Sequence, residues 1–209
     1  MRKNKSLPEI NILYLLYFTA FIIFIIFMSC VCSCEKREPE AQPLPNDMMK
    51  KILDDLAESY DSDSINSDCV EYISEQKDKN LSEKDLNDIY SDGENQTPVD
   101  MSKIEKYSIR QSKSKENPPA EIGIFKLYDE VNAQYVKDMA NNRIKKIIDA
   151  DKSNNNNNLN LNININSLET ANNAEARSYG NYVYYVSHPE KDRIFRIIEN
   201  MLRDKNKGA

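Results

Sequence analysis

The sequence predicts an α+β domain: a four-stranded, mostly antiparallel sheet built from two strand–strand–helix units, with helices on one face. Residues 182–186 are an unbroken run of aromatic and β-branched residues, which pack well on a pleated sheet. Residues 120–127 form a second run that is mostly apolar. After each run the apolar residues recur at helical spacing, so we expect a helix to follow each pair of strands.

The second unit is centred on a β-hairpin. Residues 175–178 form its first strand, and Gly180 and Asn181 close a two-residue turn, because both residue types tolerate positive φ. The helix that follows starts at residues 187–190, with Pro189 in its first turn. The apolar stripe of this helix comprises Ile194, Ile197, Ile198, Met201 and Leu202.

The first unit has the same order of elements. The second half of segment 101–110 predicts a strand, and the run at 120–127 predicts an interior strand because it is apolar on both faces. Asp129 is a suitable N-cap for a helix over residues 131–149. The two units together predict one α+β domain at residues 101–209.

Two other segments are expected to lie outside the units. The asparagine-rich segment 151–170 predicts a disordered insertion, and the alternative is a strand, because its Leu-Asn and Ile-Asn pairs alternate. Residues 48–100 predict a helical, partly disordered lead-in. It contains helices at 48–60 and 81–90, the second capped by Ser82.

The N-terminal segment predicts export. A basic start is followed by an apolar run at residues 12–28 and then by small residues, so we expect residues 1–33 to be a secretory signal peptide. The apolar run has seventeen residues, which is the lower limit for crossing a bilayer. An uncleaved single-span anchor with an assembly role is therefore the alternative.

Three of the four cysteines lie within five positions at the end of this run. The residues before Cys34 resemble a bacterial lipobox, with the aliphatic Val31 three positions earlier and the small Ser33 directly before it. Cys30 is the second choice, because a phenylalanine lies three positions before it. A diacylglyceryl group carries two chains, and two chains anchor stably. Residues 34–47 predict a proline-rich tether. We therefore expect a lipid-anchored protein on the extracytoplasmic face of the cell membrane.

Composition and motifs argue against several functions. The net charge of −6 argues against nucleic acid as a partner. The single histidine, His188, lies at a helix start, where a role in the turn is usual, and the sequence contains no nucleophile elbow, phosphate loop or zinc-ligand spacing. We therefore predict no enzymatic activity and no catalytic, cofactor-binding or metal-binding residues. An envelope enzyme that uses Arg143, His188 or scattered carboxylates is the less favoured alternative.

Tyrosines cluster in the second hairpin. Strict alternation places Tyr182 and Tyr184 on one face of the strand and Tyr185 on the other. If helices cover only one face, one set is exposed and forms a contact surface for an envelope protein or a glycan. The alternative is that these tyrosines belong to the core and only their hydroxyls reach its rim. The signal peptide, the lipobox, the tether and one compact domain without catalytic residues together predict a binding or scaffolding module of the cell envelope.

Several of these residues resemble a known family. The strand Glu121-Ile122-Gly123-Ile124-Phe125-Lys126 is similar to its E-I-x-x-F-K strand, Arg143 to an arginine late in its first helix, and Gly180-Asn181-Tyr182-Val183 to its G-N-Y-V hairpin. On these residues the chain resembles the domain of unknown function 4358 family, uncharacterised predicted lipoproteins of Gram-positive bacteria, over roughly residues 84–200. The resemblance implies the fold and the location but no reaction.

Overall fold

Five antiparallel strands form one sheet in the computed structural model of the chain. The structure describes residues 42–57, 69–91, 98–113, 120–157 and 170–206. All of them belong to one compact unit, Gln42–Ala209. The predicted signal peptide, Cys30 and Cys34 lie outside the described residues.

The strands follow the order β1-β2-β3-β5-β4 across the sheet, and each neighbouring pair is antiparallel. Their bounds are β1 Cys69–Ile73, β2 Ile104–Ser112, β3 Glu121–Leu127, β4 Glu175–Tyr179 and β5 Tyr182–Ser187. The α+β class and the two predicted pairs of strands are confirmed. The predicted number of four strands is wrong, because β1 adds a fifth strand at one edge.

The additional strand β1 pairs with β2 at all five of its positions, from Cys69 opposite Ser112 to Ile73 opposite Ser108. Its sequence, Cys-Val-Glu-Tyr-Ile, consists mostly of residue types that favour strands. The strand has only five residues, however, and every one of them pairs with β2. Its stability therefore comes from this pairing and from packing rather than from a strong local signal.

The predicted β-hairpin is confirmed. Strands β4 and β5 are joined by Gly180 and Asn181, with Tyr179 opposite Tyr182 at the end of the ladder. Gly180 has a φ of 54°, in the left-handed region that glycine adopts at little cost. Asn181 fixes the turn against the neighbouring strand, because its Nδ2 donates to the carbonyl oxygen of Leu127 at 3.0 Å.

The main helices that accompany the sheet are α1 Pro45–Ala57, α2 Glu83–Tyr90, α3 Ala133–Asn157 and α4 Lys191–Asn206, and residues 170–172 form a short helical stretch before β4. The predicted cap of α2 is confirmed, because the Ser82 hydroxyl accepts from the backbone N–H of Asp85 and the Asp85 carboxylate accepts from the backbone N–H of Ser82. Asp129 caps the short 3₁₀ turn Glu130–Asn132, which leads into α3.

Helices cover both faces of the sheet, so the prediction of helices on one face is wrong. Helices α2 and α3 pack on the first face, and helices α1 and α4 pack on the second. The physical reason lies in the central strands: every residue of β5 is buried, and β3 is buried on both sides over most of its length. An apolar strand of this kind needs a partner layer on each face.

The two faces hold separate cores. The first contains Tyr90, Tyr107, Phe125, Val136, Met139 and Tyr185 among others. The second contains Met48, Met49, Ile52, Ile122, Tyr184, Ile194 and Phe195 among others. Helix α1 belongs to the second core, so residues that the sequence places in a lead-in are part of the folded domain.

Helix α3 continues to Asn157, which lies inside the segment 151–170 that was predicted to be disordered. That part of the prediction is wrong, because the helix runs on through the first asparagines of the tract. Residues 158–169 lie outside the described part of the chain. Among the described helices, none has the length and apolar character that a membrane span requires.

Candidate functional site

A buried carboxylate lies at the start of the central strand β3. Glu121 is only 3% exposed, and Arg143 from helix α3 binds both of its oxygens. Arg143 Nε lies 2.9 Å from Oε1 and 3.1 Å from Oε2, and Nη2 lies 2.5 Å from Oε2. Two-pronged binding of this kind fits the planar guanidinium and holds both side chains in one orientation.

Two tyrosine hydroxyls extend this ion pair into the first core. The Tyr185 hydroxyl donates to Glu121 Oε1, and the Tyr90 hydroxyl lies 2.7 Å from that of Tyr185. We call Tyr90, Tyr185, Glu121 and Arg143 the buried polar network. Its members come from α2, β5, β3 and α3, so one set of hydrogen bonds joins four elements.

Burial and the charge of Glu121 determine the protonation states of the buried polar network. Burial raises the pKa of Tyr90 and of Tyr185 well above the usual value, and the negative charge of Glu121 raises both further. Burial alone would lower the pKa of Arg143, but the charge of Glu121 and its hydrogen bonds outweigh this and raise it. At neutral pH the tyrosines are therefore neutral and Arg143 is charged, an arrangement suited to structure and orientation.

Gly123 allows this network to form. A Cβ atom built on Gly123 would lie 2.1 Å from Cε1 of Tyr185, so the tyrosine ring occupies the space of a side chain on the central strand. Tyr185 is directly opposite Gly123 on β5. The glycine therefore has a packing role in a strand, where its lack of a side chain is otherwise unfavourable.

An open cleft of about 410 Å³ lies near the network, between edge strand β1 and helix α2. Four carboxylates line it together with one lysine: Glu71, Asp78, Asp85, Asp88 and Lys79. Two of these acids have partners. Glu71 binds Lys79 at 2.6 Å, and hydrogen bonds from the Ser82 side chain and backbone lower the pKa of Asp85. The remaining two, Asp78 and Asp88, make no ion pair within the described residues.

Tyr72 connects the cleft to the buried polar network. It lines the cleft and also packs against the first core. Burial raises the pKa of its hydroxyl, the charges of Asp85 and Glu121 raise it further, and Arg143 opposes them. Arg110 also binds Glu71 at 3.2 Å, and the Lys146 ammonium donates to the carbonyl oxygen of Asp88 at 3.0 Å. The cleft therefore has an aromatic wall and a small excess of negative charge, a combination that favours a positively charged group.

Comparisons of the chain with known protein families, with curated proteins and with solved structures find no match. The resemblance to a lipoprotein family therefore stays a prediction. The structure brings together two residues that the resemblance singles out in separate motifs, since Glu121 and Arg143 bind each other.

The predicted tyrosine contact surface is wrong. The side chains of Tyr182, Tyr184 and Tyr185 are 3%, 1% and 0% exposed, because helices cover both faces of the sheet. The Tyr182 hydroxyl donates to the carbonyl oxygen of Pro43 at 2.7 Å, and Tyr184 packs against Phe195. The alternative interpretation, that these tyrosines belong to the core, describes their positions.

His188 and Arg143 are not gathered in the cleft. His188 is buried in the turn before α4, where its Nδ1 accepts from the backbone N–H of Glu190 at 3.0 Å. Arg143 points its guanidinium at Glu121. Sequence reasoning missed Glu121 as the anchor of the network. The available signal was a glutamate at the start of an otherwise apolar strand, which requires a buried partner.

Proposed function

We propose that this chain is a lipid-anchored extracytoplasmic binding module of a bacterial cell envelope. In this proposal the signal peptide at residues 1–33 is removed and a lipid on Cys34 holds the folded domain at the membrane. The observation that supports this proposal is the short length of chain between Cys34 and the folded domain. The compact unit begins at Gln42, only eight residues after Cys34.

The physical logic of this arrangement is anchoring on a short tether. Two acyl chains hold a protein stably, since each buried CH₂ contributes about 0.8 kcal/mol. Eight residues of extended chain span at most about 28 Å. The domain would therefore remain close to the bilayer surface, where its partners would be other components of the envelope.

The intact mass of the protein extracted from membranes of the producing cell tests the anchor. We expect a mass that lacks residues 1–33 and carries lipid on Cys34. The Cys34→Ser variant should remain unprocessed and unlipidated, whereas Cys30→Ser, as the matched control, should behave as the unchanged protein. A full-length, unmodified mass would instead support the single-span alternative and would end the proposal of a lipid anchor.

The cleft beside Tyr72 is the proposed contact site for a partner. Its lining has four carboxylates and one lysine, and Asp78 and Asp88 are without ion pairs in the described part of the chain. We therefore propose a partner that presents a protonated amine or a guanidinium, which the carboxylates attract and the tyrosine ring can contact. The proposed role is binding rather than catalysis, because the charged groups of the nearby network are bound to one another.

Photo-crosslinking in intact cells tests this contact site. A crosslinking amino acid at Lys77, which is exposed and adjacent to Asp78, should yield an adduct with an envelope component, and adding Asp88→Lys should remove that adduct. Asp54→Lys is the matched control, since Asp54 is an exposed helical aspartate on α1, on the opposite face of the sheet. An adduct that survives Asp88→Lys at the level of the control would exclude the cleft as the contact site.

A further inference from the structure

Two large apolar side chains stand out on the surface of the described residues. Tyr128 is 67% exposed and Val131 is 78% exposed. They lie three positions apart, in the connection between strand β3 and helix α3. A single exposed apolar residue needs no explanation, but a tyrosine and a valine three positions apart in one connection place two exposed apolar side chains in a short stretch of the surface.

This surface lies at the end of the sheet where the chain enters the domain. The carbonyl oxygen of Pro43 accepts from the hydroxyl of Tyr182, the first residue of β5. At the same end, the backbone N–H of Leu127 donates to the carbonyl oxygen of Asn181 at 2.8 Å. Tyr128 follows Leu127 directly. The start of the described chain, the β4–β5 turn and the exposed pair therefore share one end of the domain.

We propose that this end of the domain lies against the lipid bilayer, with Tyr128 and Val131 in the headgroup region. The inference rests on the proposed lipid anchor at Cys34. Because only eight residues separate Cys34 from Gln42, the tether keeps the end that bears Gln42 closest to the membrane. Tyrosine suits this location, since its ring is apolar and its hydroxyl remains hydrated.

The charges around the exposed pair show that the tether, rather than attraction to anionic lipid, must supply the contact. Asp129 and Glu130 lie between Tyr128 and Val131, and the Asp129 carboxylate accepts from the backbone N–H of Val131 at 3.0 Å. The nearby Lys103 ammonium lies 3.7 Å from the centre of the Tyr135 ring and is paired with an aspartate. This end therefore has no excess of positive charge. A tethered domain nevertheless meets the surface at a high effective concentration.

Tryptophan fluorescence can report this contact, because the chain contains no tryptophan. The lipid-modified chain carrying Tyr128→Trp is reconstituted into vesicles of phosphatidylethanolamine and phosphatidylglycerol, with and without brominated acyl chains. The matched control is Asn172→Trp, because Asn172 is exposed and lies just before β4, at the opposite end of the sheet. We expect brominated lipid to quench the emission of the Tyr128→Trp variant and to leave that of the Asn172→Trp variant unchanged.

The outcomes separate this inference from the proposed function. If the protein floats with the vesicles but brominated lipid fails to quench the Tyr128→Trp variant, or quenches both variants equally, the orientation is wrong and the anchor stands. If the Tyr128→Trp side chain instead becomes more shielded from solvent as the protein density in the vesicles rises, the surface makes contact between copies of the chain. This outcome also overturns the inference. If the protein does not float at all, the anchor fails and the inference fails with it.

The untethered protein provides a further check. Because the exposed pair is flanked by acidic residues, the Cys34→Ser variant carrying Tyr128→Trp should show no quenching when it is released from its signal segment and added to the same vesicles. Quenching of that protein equal to that of the lipid-modified chain would overturn the role given to the tether.

Discussion

At the scale of single residues, Glu121 is the one buried carboxylate among the described residues, and Arg143 is its ion-pair partner. Glu121 is buried and Arg143 is mostly covered, so neither charge can turn to water if its partner is removed. Breaking such a pair from one side leaves an uncompensated charge, which costs far more than the net contribution of the intact pair. The Tyr185 hydroxyl donates to Glu121, and the Tyr90 hydroxyl is bonded to that of Tyr185, so an uncompensated charge on Glu121 would act on both tyrosines.

We therefore predict that Arg143→Met lowers the free energy of unfolding by about 3 kcal/mol, measured by urea denaturation. Arg203→Met is the matched control, because Arg203 pairs with Glu199 on the surface and its side chain is 59% exposed. That control should change stability by less than about 0.5 kcal/mol. Equal effects of the two substitutions would show that the buried pair has no special role.

The close approach of Gly123 and Tyr185 gives a second prediction. Gly123→Ala would place a methyl group inside the tyrosine ring, and that ring is held in place by the hydrogen bonds of its hydroxyl with Glu121 and Tyr90. We expect a loss of more than about 3 kcal/mol, as for severe overpacking. Gly180→Ala should cost about 1 kcal/mol, because only its positive φ opposes the substitution and no atom lies within 4 Å.

A double-mutant cycle checks the cause of the Gly123→Ala effect in urea denaturation. In a Tyr185→Ala background the ring is absent, so adding Gly123→Ala should cost less than it does in the unchanged protein. If the cost is the same in both backgrounds, the tyrosine ring is not what excludes a side chain at position 123.

Part of the site was predictable and part was not. The hairpin turn followed from Gly180 and Asn181, because the need for positive φ is local and leaves a local signature. The pairing of Glu121 with Arg143 was not predictable, because it depends on how α3 is rotated over the sheet. The tyrosines of β5 could be placed on alternate faces of the sheet from the sequence. Their burial could not be predicted, because it depends on helices covering both faces.

At the scale of elements, strand β1 and helix α1 show why the sequence underestimates the domain. Strand β1 has only five residues and was not predicted, whereas helix α1 was predicted as a helix but placed in a lead-in outside the domain. Each is stabilised by a partner distant in sequence. Strand β1 relies on its ladder with β2. Helix α1 covers the second face of the sheet together with α4, and Asp55 of α1 binds Arg193 of α4 at 2.9 Å. The predicted lead-in is thus a structural part of the core.

We predict that Ile52→Asp in α1 prevents folding or lowers the free energy of unfolding by more than about 3 kcal/mol, because Ile52 is fully buried in the second core and an aspartate there would be unpaired. Lys51→Asp is the matched control, since Lys51 is exposed on the same helix. Far-UV circular dichroism and urea denaturation measure both. A fold that tolerates Ile52→Asp as well as the control would show that α1 is dispensable for the domain.

At the scale of the whole molecule, five tyrosines of the described residues are buried in the two cores. Burial raises the pKa of Tyr184 to about 12. It also raises the pKa values of Tyr90, Tyr107, Tyr182 and Tyr185. In the unfolded chain these hydroxyls ionise near pH 10. Above that pH the unfolded state releases protons that the folded state retains, so stability falls as pH rises, and below it these groups contribute no pH dependence.

We therefore predict that the domain loses stability steeply between about pH 10 and pH 12, by up to about 1.4 kcal/mol per pH unit for each buried tyrosine. Urea denaturation between about pH 7 and about pH 12 measures the loss. Absorbance at the tyrosinate band should show the buried tyrosines ionising together with the loss of secondary structure. Tyr184→Phe should lower the slope of stability against pH by the contribution of one tyrosine. If all tyrosines ionise near pH 10 while the fold persists, the two cores do not exclude water from these hydroxyls.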